Sequence, residues 1–120
     1  MGIKILHTNK CDLIPMDYND SSWLYDLFSQ LKDINSLKGL DLFCKSIADT
    51  ELFILKFNIL ADWNKGFLWS IKIKDKPIGF LLIYDIKDNP FYSYGLFPAY
   101  RHKGYFHGIL DRCNTFLESI

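Results

Sequence analysis

The sequence predicts an α+β fold: a mainly antiparallel sheet with flanking helices, in a single domain of 120 residues. Three observations lead there. Trp23, Leu24, Leu27, Phe28 and Leu31 recur at helical spacing. Between Gly66 and Phe97, three strand-like runs alternate with short turn-forming stretches, the pattern of an antiparallel meander. Beyond Arg101, the residues Ile109, Leu110, Cys113, Phe116 and Leu117 form a second helical stripe.

Taken in order, Ile3 to Thr8 suits a first strand. Asp17 to Ser22 is turn-like, and Asn19, Asp20, Ser21 and Ser22 all offer oxygens for a helix N-cap. The spacing then predicts a helix from about Ser21 to Asp33. Ile34, Asn35 and Ser36 break it, and Ser36 can cap a further helical run through Leu37, Leu40, Phe43, Cys44 and Ile47. Glu51 to Trp63 is apolar almost all round, so periodicity cannot separate helix from strand. Its length and its lack of Gly or Pro favour a helix belonging to the core. The expected strands are Phe67 to Lys74, Ile78 to Ile86 and Phe91 to Phe97. Turns are expected at Asp75 to Pro77 and at Lys87 to Pro90, with Asp85 and Asp88 as turn residues. A last helix runs from Arg101 to Ile120.

Lys plus Arg and Asp plus Glu both number 14, so the net charge is zero. That argues against a sequence-independent nucleic-acid binder, which needs a basic excess. Cys11, Cys44 and Cys113 are odd in number and widely spaced, with no CxxC pattern, so no metal site is expected. They suit reduced thiols in a cytoplasmic protein. The N-terminus lacks the apolar run of a signal peptide, and no stretch approaches a membrane span.

The chemistry sits in Arg101-His102-Lys103-Gly104-Tyr105-Phe106-His107-Gly108. This loop follows a strand and opens a helix. The first turn of a helix leaves N–H groups without partners at the positive end of its dipole, which favours anions. Gly104 can adopt a positive φ and admit a ligand close to the backbone. Arg101 and Lys103 add positive charge. An ordinary strand-to-helix turn with a solvated basic edge fits the same residues. Neither GxxxxGK[ST] nor GxGxxG is present.

Leu96-Phe97-Pro98-Ala99-Tyr100-Arg101-His102-Lys103-Gly104-Tyr105-Phe106 resembles motif A of the GCN5-related N-acetyltransferases, R/Q-x-x-G-x-G/A. Arg101 and Gly104 match its first position and its glycine. Lys76-Pro77-Ile78-Gly79-Phe80-Leu81-Leu82-Ile83 is similar to the family's preceding strand. The specific likeness covers Gly66 to Ile120; residues 1 to 65 match in element order only. The resemblance implies acetyl-CoA as co-substrate and a primary amine, on a small molecule or peptide, as acceptor. It places the pyrophosphate on the backbone N–H groups from His102 to His107, and the pantetheine arm along the main chain of Leu96. Phe106 stands where the family has Gly or Ala.

The family continues with a fifth strand, a fourth helix and a final hairpin; by this resemblance the chain is truncated after motif A. The family's Tyr acid comes from that later segment, and no carboxylate lies on Phe91 to Phe97 to serve as a base. Tyr92, Tyr94 and Leu96 share one strand face, so Tyr92 or Tyr94 is the candidate proton relay. His107 reads as a surface histidine and Cys113 as core. Trp23 and Trp69 read as core anchors, and Trp23 also stands where the family lines its acceptor site. The strand Phe91 to Phe97 would end the sheet, and its open edge is expected to recruit a second copy into a homodimer. A non-catalytic CoA-binding remnant and a cofactor-free dimeric interaction module are the alternative readings.

Overall fold

A computed structural model describes residues 3–31, 45–84, 86 and 91–120. The strands are β1 (Leu6–His7), β2 (Asp12–Pro15), β3 (Gly66–Ile73), β4 (Lys76–Tyr84) and β5 (Phe91–Leu96). The helices are α1 (Ser21–Leu31), α2 (Ile47–Asp62) and α3 (Tyr105–Glu118). The five strands form one sheet in sequence order, and every neighbouring pair is antiparallel.

The first strand is shorter than Ile3 to Thr8 and turns back into β2, which the sequence reading did not separate. Thr8 closes this hairpin. Its N–H donates to the Cys11 carbonyl at 2.9 Å, and its Oγ1 accepts from the Cys11 N–H at 3.0 Å. The next hairpin turns at Lys74 and Asp75, one residue earlier than expected. Both have positive φ, 49° and 68°, and paired left-handed residues suit the twist of a two-residue hairpin. Pro77 lies opposite Lys72, beside a register shift; alternation from the Ile73–Lys76 pair turns its nitrogen away from β3, where a missing N–H costs no ladder bond.

Helices cover both faces of the sheet, so β3 and β4 are buried almost continuously. Alternation divides β3: Phe67, Trp69 and Ile71 join Ile109, Cys113 and Phe116 of α3, while Leu68 faces Leu24, Leu27 and Phe28 of α1 and Phe53, Ile54 and Phe57 of α2. On the α3 side, Phe67, Trp69 and Phe116 form an aromatic triangle with centroid separations of 5.2–5.6 Å. Trp69 is a core anchor, and its indole N–H donates to the Lys4 carbonyl at 2.8 Å.

Before α1, Asp20 is a buried hub. Its carboxylate accepts from the Asp17 N–H and the Trp23 indole N–H, and pairs with Lys72 at 3.2 Å. Ser46 caps α2 by accepting from the Asp49 N–H. Ile47 therefore opens α2 instead of closing an earlier helix. The run Glu51 to Trp63 is helical as far as Asp62, with Trp63 as the C-cap, but it is not core all round. Thr50, Phe53, Ile54, Phe57 and Ala61 pack inward, whereas Leu52, Leu55, Ile59 and Trp63 are exposed. A helix presents one face to a sheet, so hydrophobicity alone does not bury the other. The expected helix through Leu37, Leu40, Phe43 and Cys44 lies outside the described residues, as do Asp85 and Asp88.

The α+β expectation holds. Gly79 marks the tightest strand contact: a Cβ there would run into the carbonyl oxygen of Gly95 and come within 2.6 Å of Leu96 Cδ2. Gly79→Ala should therefore destabilise the protein by about 2–3 kcal/mol, the upper part of the range for overpacking. Urea unfolding measures it, and a loss below about 0.5 kcal/mol would show that β4 and β5 are less closely paired than described here.

Candidate functional site

The site grows from the register of β5. Phe97 N–H donates to the Ile78 carbonyl at 2.9 Å, and Gly95 pairs with Phe80. In an antiparallel ladder the main-chain groups of alternate residues point to opposite sides. The N–H and C=O groups of Tyr94 and Leu96 therefore point away from β4, to the outer side of the last strand among the described residues. The side chains of Tyr92, Tyr94 and Leu96 all face α3, as period-2 alternation requires. The Tyr92 hydroxyl donates to Asn114 Oδ1 at 3.2 Å, and the Tyr94 ring lies 3.9 Å from that of Phe106.

After β5, Pro98 to Tyr100 form a 3-10 turn. Arg101 folds back, and its Nε donates to the Leu96 carbonyl at 3.0 Å. This holds the loop against the strand end and engages the outward carbonyl of Leu96. His102 has φ 60° and Gly104 φ 80°. A left-handed histidine is strained, and such strain clusters at ligand-binding turns. Gly104 is the N-cap of α3, and no side chain caps that helix. The helix thus starts at Tyr105 instead of Arg101, and its first N–H groups have no side-chain acceptor.

The outer edge of β5 and the start of α3 enclose an open cleft of about 470 Å³. Tyr94, Leu96, Arg101, Gly104, Phe106 and His107 are among its lining residues, with His102, Lys103 and Tyr105. No acidic residue among the described residues lines it. The structure thus gathers Leu96 and the loop Arg101 to His107 as the sequence suggested, with Tyr94 but without Tyr92. Burial, and secondarily the nearby Cys113, raises the Tyr92 phenol above its ordinary pKa, so it stays protonated at neutral pH. His107 is exposed, with Nε2 3.7 Å from Asp111. Cys113 is core: burial pushes its thiol up to about 12. Phe106 is partly buried against Tyr94 and the α3-side core.

Sequence reasoning missed Lys10. It comes from the β1–β2 hairpin, and its Nζ donates to the Lys103 carbonyl at 3.3 Å. No local pattern signals a contact between residues 93 apart. A second cleft of about 360 Å³ opens at the same end of β4 and β5, beside the α1 and α2 core, lined by Trp23, Lys76, Pro77, Phe97 and Tyr100. Tyr100 belongs to both clefts. Trp23 is thus a half-buried cleft residue as much as an anchor.

No protein-family model matches the sequence, and no curated protein does. Solved structures do match. RimL, a ribosomal alpha-N-protein acetyltransferase in complex with coenzyme A, is similar with a TM-score of 0.80 at 15% identity, over 94% of this chain and 67% of its own. A Salmonella typhimurium acetyl transferase that modifies the N-terminal serine of a 50S ribosomal subunit protein gives 0.79 at 17%, over 97% and 69%. MccE, a microcin self immunity acetyltransferase in complex with acetyl-CoA and AMP, gives 0.72 at 23%, over 90% and 62%. The chain spans about two thirds of the length of these structures. At these identities the likeness is one of fold, and the fold is that of the GCN5-related N-acetyltransferases.

Phe106 leans on Tyr94 and the core without being fully enclosed. Phe106→Ala should cost about 1–3 kcal/mol in urea unfolding, less than the 3–5 kcal/mol of a fully buried Phe. A loss under about 0.5 kcal/mol would show that the ring packs against nothing that matters to stability.

Proposed function

We propose that the chain binds acetyl-CoA in the cleft between β5 and α3 and transfers its acetyl group to a primary amine. The observation that carries this reading is the uncapped start of α3 behind a left-handed glycine, facing the outward main chain of Leu96. The cradle fits a pyrophosphate: among the described residues a Cβ on Gly104 would meet only Lys10 Nζ, at 3.4 Å, and the lining holds no carboxylate to repel an anion. The likeness in fold to structures holding coenzyme A and acetyl-CoA supports the same assignment.

When bound, acetyl-CoA supplies an activated thioester whose C–S bond breaks as the N–C bond to the amine forms. The chain's own groups position it and move protons. The N–H groups from His102 to His107 hold the pyrophosphate. The Leu96 N–H, aimed outward, pairs with the pantetheine arm as a neighbouring strand would. Arg101 acts chiefly by keeping the loop on the strand end. Tyr94, half-exposed in the cleft, is placed to relay the proton lost by the amine or gained by the leaving thiolate. Tyr92, with its hydroxyl engaged by Asn114 and its pKa raised, is a proton donor at most. The acceptor amine enters by the cleft of Trp23, Phe97 and Tyr100, which meets the first at Tyr100.

One observation favours a second, compatible property. β5 is the last strand among the described residues, and it carries no Lys and no internal Pro to discourage pairing. A second copy of the chain can pair there, giving a homodimer that competes with the coenzyme for the same main-chain groups. Light scattering along a dilution series should show a dimer that acetyl-CoA shifts towards monomer. A monomer at every concentration would remove this property and leave the cofactor reading intact.

Calorimetry with acetyl-CoA, followed by turnover on an amine panel, tests the main reading. Gly104→Val should weaken acetyl-CoA binding by at least about tenfold, because a β-branched residue is strained at positive φ and blocks backbone approach. Arg101→Ala should weaken it less, since backbone amides carry the charge. Unchanged affinity in a folded Gly104→Val protein would show that the loop is not the binding site.

A further inference from the structure

Lys10 stands in a place that its own chain does not explain. Among the described residues its Nζ has a single long hydrogen bond, to the Lys103 carbonyl, and lies 5.8 Å from the centre of the Tyr105 ring. No carboxylate among the described residues pairs with it. It sits over Gly104, at the positive end of the α3 dipole, where a cation is disfavoured. Arg101 and Lys103 add two more positive charges close by. A cation held against a helix dipole among other cations is relieved by an anion.

We propose that Lys10 binds the phosphate on the ribose of the coenzyme, and so makes the site prefer coenzyme A to its 3′-dephosphorylated form. This rests on the cofactor reading above. The pyrophosphate belongs to the first-turn N–H groups inside the cleft. Lys10 is not among the cleft's lining residues, yet its Nζ stands 3.4 Å from where a Cβ on Gly104 would lie. With the pantetheine arm along β5 and the pyrophosphate on the loop, the proposal takes the nucleoside end past the loop to Lys10. A phosphate monoester carries about −1.5 to −2 charges at neutral pH, so one ammonium there is a direct discriminator. The single bond to Lys103 leaves two of the three ammonium protons for it.

The test compares calorimetric affinities for coenzyme A and 3′-dephospho-coenzyme A. Wild type should prefer the former by about tenfold. Lys10→Ala should lose that preference by weakening coenzyme A binding alone, and Lys10→Arg should keep most of it. If Lys10→Ala weakens both ligands equally, Lys10 merely positions the loop through Lys103 and the proposal is overturned. Equal wild-type affinity for the two forms overturns it as well. If wild type binds neither form, the cofactor reading itself falls, an outcome distinct from the other two.

Discussion

The pairing of β5 with β4 is the constraint on which the site depends. With Gly95 opposite Phe80 and Phe97 bonded to Ile78, the main-chain groups of Leu96 and Tyr94 have only the outer side available. A slip of one residue would exchange them with those of Gly95 and would also turn Tyr92, Tyr94 and Leu96 away from α3. A Cβ on Gly79 would run into Gly95 and Leu96, so the missing side chain of Gly79 helps pin this register. The loop inherits its position from the same pairing, because Arg101 anchors on the Leu96 carbonyl.

The hairpin of β1 and β2 matters to the site although it lies at the far end of the sheet order. Leu6 and Leu13 are buried in the core that α3 covers, so the hairpin and the start of α3 share one side of the sheet. The turn closed by Thr8 then sets Lys10 over the loop, 93 residues away in sequence. The proposed binding surface is therefore assembled by packing on the α3 face.

The parts of the fold legible in the sequence are those with a sustained period. α1, α3 and the meander each repeat their pattern long enough to be unambiguous. β2 was hidden because four residues carry one fully buried side chain, Leu13, and end in a proline. The exposed face of α2 was hidden because Leu52, Leu55 and Ile59 look like core in a list of residue types. The loop was legible because Gly104 and its basic neighbours are contiguous, and its positive φ follows from chemistry that only glycine tolerates well. The left-handed His102, the Arg101–Leu96 anchor and the engagement of Tyr92 with Asn114 required coordinates, because each depends on a rotamer or on a partner from another element.

Composition bounds function only at the scale over which charge is averaged. Fourteen basic and fourteen acidic residues sum to zero, and that sum speaks against a broad polyanion such as a nucleic acid. A single coenzyme samples a region only a few residues across. There the fold gathers Lys10, Arg101 and Lys103 around a helix start, with no acidic residue among the described residues in the adjoining cleft. Exposed charges beyond about 8–10 Å are screened at physiological salt, so the distant carboxylates that balance the total do little to this corner. Overall neutrality and a local anion site are compatible for that reason, and the placement of Lys10 by tertiary structure sharpens the contrast between them.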